Sequence, residues 1–169
     1  KVDYLYIPTF KDIYGFKPKE KVFLDKFSKK LCGRFRKGHF EGVLNVMNRL
    51  MNIIRAKRIF MGEKDFQQLF LIKKYLSKKF RIKIIKCPTI RDKSKIALST
   101  RNNLLSKKNY RKASLVAKYL IALKNKLNIN NKNLSFVLKE NIKKLENFHN
   151  IKIDYLEFRD EKDLTFAKP

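Results

Sequence analysis

The chain has 169 residues, of which 44% are apolar, enough for one well-packed core or two small domains. No apolar run approaches the roughly 20 residues of a membrane-spanning helix, so we expect no membrane partner. Two cysteines and two histidines without CxxC spacing argue against a metal site and a disulfide framework. Unpaired cysteines fit a reducing, cytoplasmic setting. The sequence lacks an initiator Met and a signal-peptide pattern, so we expect a piece of a longer protein.

Charge is the most unusual feature of the composition. Lys and Arg number 42 against 15 Asp and Glu, a net charge of +27. One interpretation is a nucleic-acid partner, because clustered cations neutralise phosphates. The cations are nevertheless spread along the whole chain, and aromatic residues do not alternate with them as a base-stacking surface requires. Abundant Lys, Asn and Ile are also what AT-rich coding drift produces, so a nucleic-acid-binding module remains only an alternative.

The first predicted elements are short. Residues 2–7 have strand character, residues 12–15 form a helical turn that ends in glycine, and residues 21–24 are a second candidate strand. Residues 32–42 contain three glycines and several basic side chains. We expect a loop there, near an anionic ligand or simply on the solvated surface.

Helix and strand alternate through the middle of the chain. Helical apolar spacing over 40–54 is followed by an apolar run at 59–61, a glycine, a second helical pattern over 65–80 and a strand at 82–85. This alternation predicts an α/β fold with a parallel sheet.

The glycine turn after residues 59–61 is the main candidate ligand site. Ligands of open α/β sheets bind at the carboxyl ends of the strands, and a helix N-terminus offers N–H groups to phosphate. Lys64 adds an ammonium there, and we expect Gln67 and Gln68 to present amides to a small polar substrate. The alternative is a purely structural turn, with Asp65 as an N-cap and Lys64 as a solvated charge.

The remaining chain predicts a small α+β domain, so we place the domain boundary between residues 97 and 98. Ser99, Thr100 and Arg101 offer two hydroxyls and a guanidinium, which suit a phosphate clamp but equally suit a helix cap. The elements expected in this half are helices at 110–127 and 134–148 joined by a loop at 128–133, a strand at 151–158, a turn at 160–163 and a partner strand from residue 164.

Three stretches carry a family resemblance. They are Gly33-Arg34-Phe35-Arg36-Lys37-Gly38-His39-Phe40-Glu41-Gly42-Val43, then Phe60-Met61-Gly62-Glu63-Lys64-Asp65-Phe66-Gln67-Gln68-Leu69, then Pro88-Thr89-Ile90-Arg91 with Ala97-Leu98-Ser99-Thr100-Arg101-Asn102. In this order and spacing they resemble the pantothenate synthetase (pantoate–β-alanine ligase) family, and residues 154–157 look like its C-terminal strand. The resemblance runs over nearly the whole chain.

The resemblance implies a partial Rossmann-like nucleotidyltransferase domain over residues 1–97, followed by a small α+β lid domain over residues 98–169. It implies a ligase that activates pantoate with ATP as a pantoyl-adenylate and releases pyrophosphate. Attack by the β-alanine amine then gives pantothenate and AMP. ATP would be a substrate accompanied by Mg²⁺, and the family resemblance also implies a homodimer.

Site residues follow from the same resemblance. Lys64 is the implied catalytic residue, because it would neutralise developing phosphate charge. The backbone of Ile90 would meet the adenine, and residues 98–101 would form the phosphate clamp. The implied ATP-binding residues are Gly62, Glu63, Lys64, Asp65, Ile90, Leu98, Ser99, Thr100 and Arg101. The implied pantoate-binding residues are Gln68, Val46 and Met47.

The chain departs from the family pattern in several places. Lys37 replaces a proline, Thr100 replaces the second serine of the clamp, and Ser94-Lys95 replaces an Asp-Gly whose glycine suits a positive φ angle. The family's first strand, its His-x-Gly-His motif and its second pantoate glutamine have no counterpart here. We therefore expect this chain alone to be inactive, and a catalytically degenerate paralogue is the alternative.

Overall fold

The computed structural model describes residues 2–15, 24, 26–126, 134–149 and 151–167. The chain divides into two units, Lys1–Thr89 and Ile90–Pro169. Most of the candidate strand at 21–24 and the whole predicted loop at 128–133 lie outside the described residues. The domain boundary expected between residues 97 and 98 stays a prediction.

The first unit contains the predicted parallel sheet. Strand β1 pairs with strand β2 in parallel, with Arg58 opposite Lys83 and Gly62 opposite Cys87. A helix connects the two strands, as a parallel pair requires. The elements of this unit are α1 (Phe10–Tyr14), a 3-10 turn (Lys26–Lys29), α2 (Cys32–Phe35), α3 (His39–Ile54), β1 (Arg58–Gly62), a 3-10 turn (Glu63–Asp65), α4 (Phe66–Phe80) and β2 (Lys83–Cys87).

The core of this unit lies between α3, α4 and the sheet. Each helix buries one apolar stripe, as its 3.6-residue spacing predicted. The buried side chains of this cluster are Phe40, Leu44, Met51, Leu71, Ile72, Leu76 and Ile82. Both helices are thereby fixed on one face of the sheet, and the β1–α4 connection is held at the carboxyl ends of the strands.

Residues 32–42 do not form the single loop that was expected. Residues 32–35 are helix α2, and α3 already begins at His39, after Gly38 turns the chain with a φ of 75°. Gly33 lets the backbone of α2 approach the Ser28 carbonyl group closely, because a Cβ at residue 33 would lie 1.7 Å from the Ser28 carbonyl oxygen. The prediction failed because Gly33 allows close packing and Gly38 turns the chain into α3, so neither glycine belongs to an open loop.

The amino-terminal strand prediction was also wrong. Residues 2–9 form no strand in the described structure, and their side chains are exposed. A strand depends on a hydrogen-bonding neighbour, and none of the described residues pairs with this segment. The predicted turn at 12–15 is confirmed as α1, whose N-terminus is closed by a reciprocal capping box between Thr9 and Asp12.

The second unit begins with a hairpin and continues with two helices. A single antiparallel bridge joins Arg91 to Ala97. A 3-10 turn (Thr100–Leu104) precedes α5 (Lys107–Lys126) and α6 (Leu134–His149), which confirms the two predicted helices. None of the helices in the described ranges is long and apolar enough to cross a bilayer.

The expected strand at 151–158 is not formed within the described residues. Pairing there is limited to one antiparallel bridge between Arg159 and Phe166, beside a turn at 161–163. The alternation of apolar and polar residues predicted a strand, but no neighbouring segment of the described chain forms a continuous set of hydrogen bonds with residues 151–158.

Candidate active site

The turn between β1 and α4 leaves open space at its glycine. Gly62 is the last residue of β1, with a φ of −73° that any residue can adopt. A Cβ added there would meet nothing within 4 Å. Neither backbone conformation nor packing therefore requires glycine, and its missing side chain leaves room for a ligand to approach the backbone.

The two charged residues that follow are exposed. Asp65 occupies the N-cap position of α4, but its side chain makes no capping hydrogen bond. The Lys64 ammonium and the Asp65 carboxylate form no ion pair within the part of the chain that the structure describes. The Asp65 side chain therefore does not cap α4, as the interpretation of this segment as a purely structural turn would require. Both charges are accessible to a ligand.

Glu63, between the glycine and Lys64, is held by the neighbouring strand. Its Oε1 lies 2.8 Å from Nζ of Lys86 in β2. Both side chains are partly exposed, so the pair stabilises the fold by less than about 1 kcal/mol. Its geometric effect is to tie the turn to the end of β2.

The two glutamines of α4 have different environments. Gln67 is buried, with Nε2 donating to the Lys30 carbonyl at 2.9 Å and Oε1 accepting from the Cys32 N–H at 3.0 Å. The expectation that Gln67 faces substrate is therefore wrong. Its position one helical turn before the buried Leu71 could have revealed this. Gln68 is half-buried, and its amide bonds to none of the described residues.

Helix α3 contributes the two apolar residues implied for pantoate. Val46 and Met47 are both half-buried, and Met47 also packs against the core.

Sequence reasoning did not identify two polar residues, Asn45 and Asn48, that flank this pair on α3. The Oδ1 atoms of Asn45 and Asn48 are buried without a hydrogen-bond donor among the described residues, and such an atom costs about 1–3 kcal/mol. No feature of the sequence distinguishes these amides from solvated ones.

The hairpin at residues 91–97 turns at a lysine in the left-handed region. Lys95 has a φ of 69°, which confirms the expectation that this position needs a positive φ. Its N–H donates to the Asp92 carbonyl at 3.0 Å, and the Ile96 N–H donates to Oδ1 of Asp92 at 3.0 Å. The turn forms although glycine is absent.

Helix α5 anchors this hairpin through two hydroxyls. Tyr110 donates to Oδ2 of Asp92, and Ser114 donates to the Ser94 carbonyl at 2.7 Å. The hydrogen bond from Tyr110 lowers the pKa of the Asp92 carboxyl, and the same bond raises the pKa of the Tyr110 hydroxyl. The hairpin is therefore positioned by side chains that lie outside the family motifs.

The clamp residues follow directly from the hairpin. The Leu98 N–H donates to the Ile90 carbonyl at 2.9 Å, so Ile90 and Leu98 lie side by side at its base. Oγ of Ser99 accepts from the Arg101 N–H at 3.3 Å and caps the 3-10 turn, as the alternative interpretation allowed. Ile90, Leu98, Thr100 and Arg101 are exposed.

The predicted site residues thus form two groups, each described within its own unit. Residues 62–68 lie at the carboxyl end of β1 in the first unit, and residues 90 and 98–101 lie around the hairpin base in the second. No group of three His, Cys, Asp or Glu side chains within the described ranges is arranged to hold a metal ion. Neither Cys32 nor Cys87 forms a disulfide within the described residues.

Comparison with known proteins places this arrangement in a family. The sequence profile described as Pantoate-beta-alanine ligase matches residues 1–168. The chain belongs to the pantoate–β-alanine ligase family. A bifunctional pantoate ligase/cytidylate kinase from Prochlorococcus marinus is 42% identical over 92% of this chain and 30% of its own length. A pantothenate synthetase from Pseudothermotoga lettingae is 33% identical over 96% of this chain and 58% of its own length.

Solved structures of pantoate–β-alanine ligases share this fold. One from Thermus thermophilus superposes with a TM-score of 0.85 at 27% identity, over 99% of this chain and 61% of its own. A ligase from Francisella tularensis, complexed with beta-gamma ATP and beta-alanine, superposes with a TM-score of 0.72 at 30% identity over 89% of this chain and 54% of its own. The expected partial Rossmann-like α/β fold is confirmed. The chain spans about three fifths of the length of the Pseudothermotoga lettingae and Thermus thermophilus proteins, 58% and 61%.

Proposed function

We propose that this chain carries part of the site at which a pantoate–β-alanine ligase activates pantoate with ATP and joins it to β-alanine. The observation that carries the proposal is the open turn at the carboxyl end of β1. There Gly62 leaves room for a ligand, and Lys64 and Asp65 have no partner among the described residues. Family membership supports the assignment of ATP and pantoate as the ligands.

The first chemical step is attack of a pantoate carboxylate oxygen on the α-phosphorus of ATP. The new O–P bond gives pantoyl-adenylate while the bond to the bridging oxygen breaks and pyrophosphate leaves. Negative charge builds up on the phosphate oxygens, so a cation placed there lowers the barrier. We assign this role to Lys64, while Gly62 and Asp65 hold the nucleoside and Glu63 fixes the turn through Lys86.

The second step is attack of the neutral β-alanine amine on the pantoyl carbonyl. The C–N bond forms, the amine loses a proton and AMP leaves with the electron pair of the broken C–O bond. Both steps use nucleophiles supplied by the substrates. The protein is therefore required to position the reactants and neutralise charge, and no Ser-His-Asp arrangement is needed.

The hairpin residues receive the remaining ATP contacts in this proposal. The Ile90 backbone meets the adenine, and residues 98–101 clamp the phosphates, with Arg101 as the fork-shaped donor. Its guanidinium is exposed and makes no ion pair with described residues. Because Ser99 already caps the 3-10 turn, its part in the clamp would be to shape the backbone as well as to donate its hydroxyl.

Pantoate is assigned to Gln68, with Val46 and Met47 on the apolar side of its pocket. Gln68 fits this role because its amide is uncommitted within the described structure, in contrast to Gln67. Mg²⁺ would accompany ATP, bound mainly through phosphates and water, as is usual for this ion. A homodimer and a cytoplasmic location complete the proposal, and cysteines without a disulfide between them agree with the latter.

The altered turn at residues 94–95 is the feature that favours the degenerate-paralogue alternative. That turn forms with Lys95 in the left-handed region, so the substitution does not remove the hairpin. The altered turn is therefore no reason to favour a degenerate paralogue over a ligase whose site this chain completes in part.

Product formation tests the proposal. The complete gene product is assayed for AMP release that requires both pantoate and β-alanine. We expect Lys64→Ala to reduce the rate by about 100-fold or more, the usual loss for removing one charge-stabilising group. Lys124→Ala, which removes an exposed lysine of α5, should leave it unchanged. No substrate-dependent AMP from folded wild-type protein would reject the proposal.

A further inference from the structure

A cavity of about 340 Å³ lies at the opposite edge of the sheet from the candidate active site. Its walls come from the ends of α3 and α4 and the residues just after them, among them Met51, Arg55, Lys79, Phe80, Arg81 and Ile82. Since β1 and β2 are parallel, both begin at this edge. Each has five residues, so the cavity edge lies roughly 13 Å from the Gly62 end.

The chain segments that form the cavity are rich in positive charge. Arg55, Lys79 and Arg81 line it, and Lys57, Arg58, Lys78 and Lys83 flank them along the chain. All seven side chains are exposed. The two cationic stretches are joined directly, because the Lys83 N–H donates to the Lys57 carbonyl at 3.1 Å.

The two segments that line the cavity contain no acidic residue. The sequence contains no Asp or Glu between Glu41 and Glu63, and none between Asp65 and Asp92. Arg55 and Arg81 form no ion pair or side-chain hydrogen bond with the residues that the structure describes. Their guanidinium groups are therefore available to an external anion.

Helix dipoles offset only part of the charge. Both α3 and α4 end at this cavity, and each C-terminus carries the equivalent of about half a negative charge. The residues that cap these helices already bond to some of the last carbonyl groups. The Arg55 N–H donates to the Met51 carbonyl at 3.0 Å, and the Arg81 N–H donates to the Lys78 carbonyl at 3.3 Å. Two dipoles carry about one negative charge together, so they offset only part of the charge of Arg55 and Arg81.

Both arginines occupy a backbone conformation that glycine adopts more easily. Arg55 has a φ of 51° and Arg81 a φ of 49°, each just after the last residue of a helix. Glycine is the usual residue at such a cap. Two long cationic side chains are thus retained at a conformational cost, and both line the same cavity.

We propose that this cavity binds a small anion bearing two or more phosphate groups, at a site separate from the candidate active site. A guanidinium group can donate two parallel hydrogen bonds to the oxygens of one phosphate. The apolar surface of Met51, Phe80 and Ile82 reduces competition from water for these hydrogen bonds. The volume suits a small molecule. The two arginines, placed on adjacent helix ends, are the principal ligand-binding residues.

Calorimetric titration with tripolyphosphate at about 0.15 M salt tests the site on the whole chain. The main variant is Arg55→Gly/Arg81→Gly, which removes two charges at positions where glycine relieves backbone strain, so unfolding is not expected. The control is Arg111→Gln/Lys118→Gln, which removes two exposed charges from α5. Lys64→Ala serves as a third protein, because it removes the cation of the candidate active site.

We expect saturable binding that weakens at least tenfold in Arg55→Gly/Arg81→Gly. It should change less than about twofold in the α5 control and in Lys64→Ala. Equal weakening in both double variants would show diffuse charge attraction and overturn the proposal, as would the absence of saturable binding. Loss of binding in Lys64→Ala would assign tripolyphosphate to the active site instead. A short DNA duplex that displaces tripolyphosphate and binds more tightly would replace the small-anion site with a nucleic-acid surface.

Discussion

Tyr110 on α5 donates its hydroxyl hydrogen to the Asp92 carboxylate at the start of the 91–97 hairpin. This bond, together with the one from Ser114 to the Ser94 carbonyl, ties the hairpin to the longest helix of the second unit. The clamp residues 98–101 continue from the same hairpin. Their position relative to α5 is therefore set by two hydroxyl groups that carry no charge.

The Tyr110–Asp92 bond predicts a specific pH dependence. The pKa of Asp92 is lowered in the folded chain, so its stabilisation is present above the unfolded carboxyl pKa and is lost as pH falls through the folded value. The pKa of Tyr110 is raised, so its contribution is present below its unfolded pKa and is lost as pH rises through the folded value. Between these limits Tyr110→Phe should unfold at lower urea concentration than wild type.

The measurement is urea unfolding of both proteins across the acidic range. The difference between wild type and Tyr110→Phe should shrink toward zero below the lowered pKa of Asp92. A difference that stays constant at acid pH would show that Tyr110 stabilises by packing alone.

Lys95 predicts an increase in stability on substitution by glycine. A lysine in the left-handed region is strained by about 1 kcal/mol relative to glycine, so Lys95→Gly should raise the free energy of unfolding by up to that amount. Lys93→Gly is the matched control, because it removes the same charge from the same turn at a position without a positive φ. It should lower stability by about 0.5–1 kcal/mol. Destabilisation by both variants would contradict the assigned backbone strain.

Two glycines of the first unit predict opposite outcomes for the same change. Gly62→Ala places a methyl group in open space, so stability should change by less than about 0.5 kcal/mol, while ATP affinity of the complete gene product should fall about tenfold. Gly33→Ala forces a Cβ against the Ser28 carbonyl and should destabilise by several kcal/mol. Thermal unfolding and ATP titration of both variants separate the roles. Unchanged ATP affinity in Gly62→Ala would remove this turn from the nucleotide site.

The adjacent glutamines form a second matched pair. Gln67→Leu leaves the Lys30 carbonyl and the Cys32 N–H without a partner and should cost about 2 kcal/mol of stability. Gln68→Leu should be nearly neutral in stability but should raise the pantoate KM. Steady-state kinetics and urea unfolding provide the two readouts. If Gln68→Leu destabilised as much as Gln67→Leu, Gln68 would be structural and its pantoate role would be withdrawn.

The parallel β1–α4–β2 unit was predictable because its signals are local. Apolar spacing in 40–54 and 65–80 fixes the helix faces, and a glycine marks the end of the first strand. The positive φ at Lys95 was likewise predictable, since the family pattern has a glycine at this position. These features depend on residues close together in the chain.

The errors concern features that depend on distant partners. Residues 2–7 and 151–158 alternate like strands, but a strand exists only where a neighbour completes its hydrogen bonds. Gln67 and Gln68 look equivalent in the sequence, and only the position of residues 30–32 against α4 distinguishes them. The buried amide oxygens of Asn45 and Asn48 had no sequence signal at all.

Pantoate-dependent exchange of label between pyrophosphate and ATP tests the central claim most directly. This reaction reports reversible formation of the adenylate and does not require β-alanine. The complete gene product should catalyse it, and Lys64→Ala should abolish it while leaving the fold intact. Exchange that is absent from folded wild-type protein, or that survives in Lys64→Ala, would contradict the assignment of the Gly62–Asp65 turn to adenylate chemistry.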